Sequence, residues 1–335
     1  KQTLQVVLRE ASTTLDEVNI KGEKIQSDQI QELKTKDMKM TPSANGNGVE
    51  SLVQQQAGVS THNELSSQYN VRGGAFDENS VYINNVEVFR PFLVRSGQQE
   101  GLSVINPYMV DKIGFSTGGY AAKYGDKMSS ALDITYKTLK AKSKKPVVEG
   151  SLAASLLGAD AYIGLGTQKL SWLNSVRYKT TSYLLGSMET KGEYKPNYLD
   201  YQTYLSYQPN KRWKLDFIGN ISDNHYNFEP EDRETKFGTM ENVKSFRVYF
   251  DGQEKDRFLT YFGTLGITRQ FTANTSLSLL GSAFYTKEQE KYDIQGQYWL
   301  DETETSENQG VGTYVEHARK YLTARVMRAK QMIKN

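Results

Sequence analysis

The sequence predicts an α+β domain over residues 49–140, followed by antiparallel strands of a transmembrane β-barrel over residues 147–335. Three observations carry this. Residues 110–135 hold two strand-like runs joined through a glycine pair and a tight turn. From residue 147 the chain changes to period-two alternation. Short and long connections then follow one another in turn, as the two ends of a membrane barrel require.

Composition agrees without deciding. The chain has 335 residues, with 22 Tyr, 27 Gly, 7 Pro and no Cys. Its net charge is +2, from 41 basic and 39 acidic residues, which gives no field suited to a polyanion, so no nucleic-acid partner is expected. No run of eighteen apolar residues exists, which excludes a transmembrane helix. A membrane β-barrel stays open, because lipid-facing and lumen-facing residues alternate and keep mean hydropathy low. Lys1 is not a start residue and no signal peptide is visible, so a processed or trimmed chain is expected.

The elements follow in chain order. Residues 1–14 include the strand-like Leu4-Gln5-Val6-Val7-Leu8. Residues 15–20, Leu15-Asp16-Glu17-Val18-Asn19-Ile20, form an extended apolar–acidic stretch of the kind that adds as a strand to a partner sheet. Residues 21–48 are polar and end in Ser43-Ala44-Asn45-Gly46-Asn47-Gly48, which reads as linker. A short helix fits 49–57, with Leu52, Val53 and Gln56 near one face and Gly58 as its C-terminal cap. Two β-rich runs, Ser80–Ile83 and Val86–Val88, flank Asn84-Asn85, a hairpin turn because Asn tolerates positive φ. Lys112–Ser116 then enters Gly118-Gly119, the Lys123-Tyr124-Gly125-Asp126 turn follows, and a strand runs over 131–136.

Beyond residue 147, Leu199, Tyr201, Thr203, Leu205 and Tyr207 share one strand face, with Asp200, Gln202 and Ser206 opposite. Trp213, Leu215, Phe217, Gly219 and Ile221 repeat the pattern, as do Leu259–Ile267 and Leu277–Tyr285. Ten-residue alternation suits a tilted membrane strand. Eight strands are predicted, at 147–157, 160–166, 169–179, 198–208, 213–222, 257–268, 276–286 and 311–322. Short turns are expected near 167–169, 209–212 and 270–275, and long polar loops at about 180–197, 223–256 and 287–310.

The 110–135 block, with Ile113-Gly114-Phe115, Gly118-Gly119 and Tyr124-Gly125, resembles the last block of the plug domain in TonB-dependent outer-membrane receptors. Asn70-Val71-Arg72-Gly73-Gly74 followed by Val81-Tyr82-Ile83-Asn84-Asn85-Val86 resembles an earlier plug pattern, with Asn-Asn replacing the usual Asp-Gly. Residues 15–20 resemble the segment after a carboxypeptidase-regulatory-like sandwich in Bacteroidetes-type receptors, which makes 1–14 the end of that sandwich and 15–20 a candidate TonB box. The resemblance implies a plug facing the periplasm within a barrel of about 22 strands, of which this chain holds about eight, so a fragment is expected. It implies import of a ligand in the outer membrane, powered by TonB and its inner-membrane energising complex. Siderophore, vitamin, oligosaccharide and peptide all fit as ligand. Outer-membrane lipid and a lipoprotein lid are further expected partners. The alternative is a receptor-like barrel serving as a structural component of a secretion or assembly complex.

No enzyme chemistry is expected. No G-x-S-x-G elbow or Cys nucleophile exists, and His62, His225 and His317 lack metal-ligand spacing. Asp77-Glu78-Asn79 reads as a polar loop tip and Glu229–Glu234 as a solvated loop. No cofactor, catalytic or metal residue is assigned. In family members the loops that correspond to 89–101 form the floor of the ligand cavity, which implies Arg90, Phe92, Arg95 and Gln98 as ligand contacts. Phe89, Phe92 and Leu93 are otherwise expected inside the plug. Arg72 is expected in a plug–barrel ion network that serves as a release latch.

Overall fold

The computed structural model describes residues 30–39, 41, 48–61, 66–89, 91, 103–180, 192–238 and 242–304. The first layer is a five-stranded mixed sheet. Its strands are β1 (Gln31–Leu33), β4 (Asn79–Ile83), β5 (Val86–Glu87), β6 (Val110–Ser116) and β7 (Ser130–Tyr136), in the order β1-β6-β7-β4-β5. A two-stranded ribbon of β2 (Val59–Ser60) and β3 (Asn70–Val71) stands beside it, with helix α1 (Gly48–Gln54). The stretch 21–48, expected as linker, supplies β1, which pairs antiparallel with β6 through Leu33↔Ile113, and a 3-10 turn at Asp37–Lys39. Propensity does not announce a three-residue edge strand; the free edge of β6 recruits it.

Local rules account for the turns. Asn84 and Asn85 have φ of 50° and 66°, which allows a two-residue hairpin between β4 and β5. The Asn84 amide donates to Ile134 O (2.8 Å), and its Oδ1 accepts from the Tyr136 amide (2.9 Å), tying the hairpin to β7. Gly118 and Gly119 take φ of 135° and 72°, out of reach of most L residues. In the following turn the left-handed residue is Asp126 (φ 69°) rather than Gly125. Strand β4 is buried along its whole length, and with β6, β7 and α1 it builds a core of Val49, Val53, Val81, Ile113, Leu132 and Ile134.

The second layer is one antiparallel meander. Its strands are β8 (Val147–Ser155), β9 (Gly158–Gly166), β10 (Leu170–Thr180), β11 (Gly192–Asn210), β12 (Trp213–Pro230), β13 (Arg233–Gly238), β14 (Asn242–Gln270) and β15 (Ser276–Glu304). Chain neighbours pair from β8 to β12 and from β13 to β15, and β12 and β13 lie end to end against β14. Among the described residues β8 and β15 are each paired on one side only. The strand expected at 311–322 lies outside the described residues.

Three loop expectations need correction. Strand β11 already begins at Gly192, strand continues to Pro230 and resumes over Arg233–Gly238 and from Asn242, and β15 runs to Glu304, so 192–197 and most of 223–256 and 287–304 are ladder rather than loop. Beyond a membrane the ladder still satisfies every paired N–H and C=O, so strands need not stop where apolar residues stop. The tight turn at 156–157 also breaks the strict short–long alternation at the first hairpin.

The faces of this sheet are inverted relative to a water-soluble protein. Trp172, Val176, Leu199, Tyr201, Phe217, Ile221, Leu265 and Leu279 are exposed on the outer face. Ser171, Ser175, Asp200, Gln202, Ser206 and Asn220 are buried on the inner face, against the first layer. A contiguous apolar surface of this kind belongs against lipid. On β14 the apolar positions run from Leu259 to Ile267, about 27 Å along the strand and roughly 19 Å across a membrane at a 45° tilt. The outer face then turns charged, with Asp223 on β12, Arg257 on β14 and Lys287 on β15. No helix among the described residues is long and apolar enough to cross a membrane.

Candidate functional site

Inner-face residues of β9, β10 and β11 meet the first layer along the irregular segment 103–106. Period-two alternation on β10 sends Ser171, Leu173, Ser175, Arg177 and Lys179 inward and Trp172, Val176 and Tyr178 outward. Antiparallel register sets Arg177 opposite Asp200 of β11 and opposite Asp160 of β9. Arg177 donates to Asp200 through Nε (2.8 Å) and Nη2 (2.5 Å), and both side chains are about 96% removed from solvent. A guanidinium this buried needs its planar fork filled.

The rest of the fork reaches the first layer. Arg177 Nη2 donates to Ser103 O (2.7 Å) and Nη1 to Ile105 O (3.0 Å). Between them, Val104 O accepts from Gln202 Nε2 (2.6 Å), and the Tyr136 hydroxyl donates to Gln202 Oε1 (3.2 Å). Asn106 Nδ2 donates to Ser175 Oγ (2.6 Å). Three successive backbone carbonyls of a non-repetitive segment thus find their donors on the wall, which answers where its orphan polar groups go.

Helix α1 joins the same cluster. Glu50, 2% exposed, accepts a hydrogen bond from Ser103 Oγ. Its Oε2 has no hydrogen-bond partner among the described residues. Burial pushes the Glu50 carboxyl above the ordinary range, while the Ser103 hydrogen bond and the charges of Arg177 and Lys179 pull it back.

Close packing completes the contact. Tyr108 stacks on Tyr162 of β9, with ring centroids 6.1 Å apart, and Tyr136 meets Tyr204 of β11 edge-on at 5.8 Å. Gly166 matters through its missing side chain: a Cβ there would lie 2.6 Å from Leu139 Cβ and 2.7 Å from Leu139 O. Leu139 N donates to Ser171 Oγ (2.9 Å), so the segment joining the layers lies flat against the wall.

The residues predicted from sequence fare unevenly. Leu15 to Ile20, Arg90, Phe92, Arg95 and Gln98 lie outside the described residues, as do Leu93, His62 and His317. Arg72 is exposed, with φ of 51°, and its amide donates to Gly58 O (2.8 Å); among the described residues its guanidinium makes no ion pair. The buried cation at the contact between the layers is Arg177 instead, ion-paired to Asp200 within the wall and hydrogen-bonded to the carbonyls of Ser103 and Ile105 in the first layer. Sequence reasoning passed over Arg177, although its place on the polar face of an alternating strand, opposite Asp200 once the hairpin is in register, was the available signal. Phe89 is 65% exposed rather than inside the first layer, and its ring meets Phe284 of β15 edge-on at 5.5 Å. Asn79 is buried, donating to Tyr69 O (2.7 Å) and Phe76 O (3.1 Å), so Asp77-Glu78-Asn79 ends in a structural clamp. His225 sits beside Asp223 at 3.2 Å on the charged outer rim. No group of three or more metal-ligating side chains occurs among the described residues.

Such an arrangement holds a domain without sealing it. Hydrogen bonds to backbone carbonyls can be exchanged for water one at a time, whereas a dry apolar interface separates only at the full cost of its area.

Comparison with known proteins gives this arrangement its place. Residues 23–131 match the TonB-dependent Receptor Plug Domain. No curated protein matches the chain. Among solved structures, a ferric enterobactin receptor (PfeA) of Pseudomonas aeruginosa is similar at 15% identity, with 83% of this chain and 49% of that one covered and a TM-score of 0.44. The siderophore receptor PirA of Acinetobacter baumannii gives 14%, 82%, 48% and 0.44 in the same order, and the copper transporter OprC gives 10%, 89%, 50% and 0.48. The chain spans about half the length of these structures. Residues 23–131 are a TonB-dependent receptor plug domain, and the antiparallel strands after them form the wall on which that domain is seated.

Proposed function

We propose that this protein takes part in active import of a ligand across the outer membrane, driven by TonB. The observation that carries the reading is the plug–wall contact at Arg177. Carbonyls of residues 103–105 are held by Arg177 and Gln202 through polar contacts that water can replace. A plug meant to stay would be served better by apolar packing; a plug meant to move needs contacts that open at modest cost.

In this reading TonB engages Leu15 to Ile20 as an added strand, and force from the inner membrane frees segment 103–106 from Arg177. Ligand enters from the extracellular side, and Arg90, Phe92, Arg95 and Gln98 form part of its floor. Support for that floor comes from Phe89, which leaves the plug sheet exposed and meets the inner face of β15. No covalent bond is made or broken. Arg72 keeps a place as a secondary latch, engaged when the plug shifts.

The test is uptake by cells carrying the full-length protein or a deletion of residues 15–20. The probes are a panel of radiolabelled ferric siderophores, cobalamin, oligosaccharides and short peptides. Uptake of at least one probe is expected, abolished by the deletion and by an uncoupler of the proton-motive force. Uptake that survives either treatment refutes the reading.

A further inference from the structure

The outer wall carries two features that import does not use. The first is a trough. In register across β12, β14 and β15, Gly219 faces Gly263 and Gly263 faces Ala283, a row almost without side chains. Phe217 stands on one side of it, Tyr261 and Tyr285 on the other, and a cavity of about 400 Å³ lies between. The rings of Tyr261 and Tyr285 lie 6.2 Å apart as one rim.

The second feature is charge. Where the apolar band ends, Arg257 and Lys255 of β14 lie on the outer face beside Lys287 and Lys291 of β15, with Lys255 and Lys291 directly opposite one another. Like charges in that position repel and need a counter-charge. Asp223 is engaged by Arg257 at 2.6 and 2.8 Å, and Lys255, Lys287 and Lys291 have no ion-pair partner among the described residues. Of the acids nearby, Glu254, Asp256, Glu288 and Glu290 alternate onto the inner face, while Asp293 shares the outer face, two positions beyond Lys291 and away from the trough.

Four residues separate Ala283 from Lys287, about 13 Å along the strand, a distance that several methylenes of an acyl chain span. We propose that this face binds one anionic phospholipid, its headgroup on Lys255, Lys287 and Lys291 and an acyl chain in the Gly219–Gly263–Ala283 trough. The occupant is a lipid and not free phosphate, because the trough and the cations lie on one path from apolar band to headgroup level. The inference rests on the membrane-facing wall and not on import, so the uptake test can fail without affecting it.

Native mass spectrometry of the detergent-solubilised protein tests it. The protein is incubated with equimolar phosphatidylglycerol and phosphatidylcholine, or with inorganic phosphate. Retention of one phosphatidylglycerol per chain is expected, with a preference of roughly fivefold for each cation that touches the headgroup. The Lys255→Gln, Lys287→Gln, Lys291→Gln variant loses the preference. Gly263→Leu, where a Cβ meets nothing closer than 3.9 Å, fills the trough and lowers retention of both lipids. Heat-modifiable gel mobility confirms that each variant is folded. Equal retention of the two lipids by the parent overturns the proposal. So does retention unchanged in both variants, or inorganic phosphate held as firmly as phosphatidylglycerol.

Discussion

Replacing Arg177 with Met keeps the stem of the side chain and removes every donor it offers the plug. Two losses follow. Asp200, 2% exposed, is left as a buried carboxylate without its bidentate partner, and Ser103 O and Ile105 O lose a charged donor. Breaking a buried pair by removing one partner costs about 3–5 kcal/mol, and a hydrogen bond to a charged group contributes roughly 1.5–3. These overlap, and water re-entering from the lumen recovers part, so a loosening of about 4 kcal/mol is expected. Amide exchange in the EX2 regime reads this directly. Ile105 N is held by Ser103 Oγ and Tyr108 N by Asn106 Oδ1, so both amides report on segment 103–106. Their exchange should rise about a thousandfold in Arg177→Met, each 1.36 kcal/mol being tenfold. Adding Asp200→Asn removes the stranded charge but restores no donor to the carbonyls, so about half the loss should return. A rise below tenfold at both amides, or a double variant no better than the single, would refute the latch.

Glu50→Gln tests the neighbouring carboxyl. Burial raises the folded-state value above the unfolded one, so the neutral form suits the fold. That contribution is fully present below the unfolded value and is lost as pH rises through the folded one. Glu50→Gln should therefore stabilise the plug at pH 8 by about 1–3 kcal/mol, with the advantage fading near pH 4, as thermal melts at the two pH values would show. An equal gain at both would contradict the assignment. On the outer wall, Leu265→Arg should cost about 2–4 kcal/mol in urea titrations in phospholipid vesicles. Gln253→Arg, on the same face beyond the apolar band, should change stability by under about 0.5 kcal/mol; equal costs would deny that band to lipid.

Much of the fold was legible because it follows from local rules. Asn84-Asn85 and Gly118-Gly119 declare left-handed turns wherever the chain goes, and both turns are present. Period-two alternation at 199–207, 213–221 and 259–267 fixes which residues share a face. The extent of the strands was less legible, since pairing beyond residue 223 rests on a neighbouring backbone and leaves no apolar signature. The three-residue β1 was hidden for the same reason: the edge of β6 creates it.

The sequence alone determined that residues 110–136 form a glycine-punctuated β unit and that a ribbon with one greasy and one polar face follows. Both follow from backbone sterics and side-chain polarity, which act within a few residues. Tertiary structure decided which polar residues of that ribbon matter. Arg177 and Asp200 are 23 residues apart, and Arg177 and Ser103 are 74 apart. Only strand register and the seating of the plug bring them within hydrogen-bond reach, and a buried guanidinium takes its meaning from the oxygens around it.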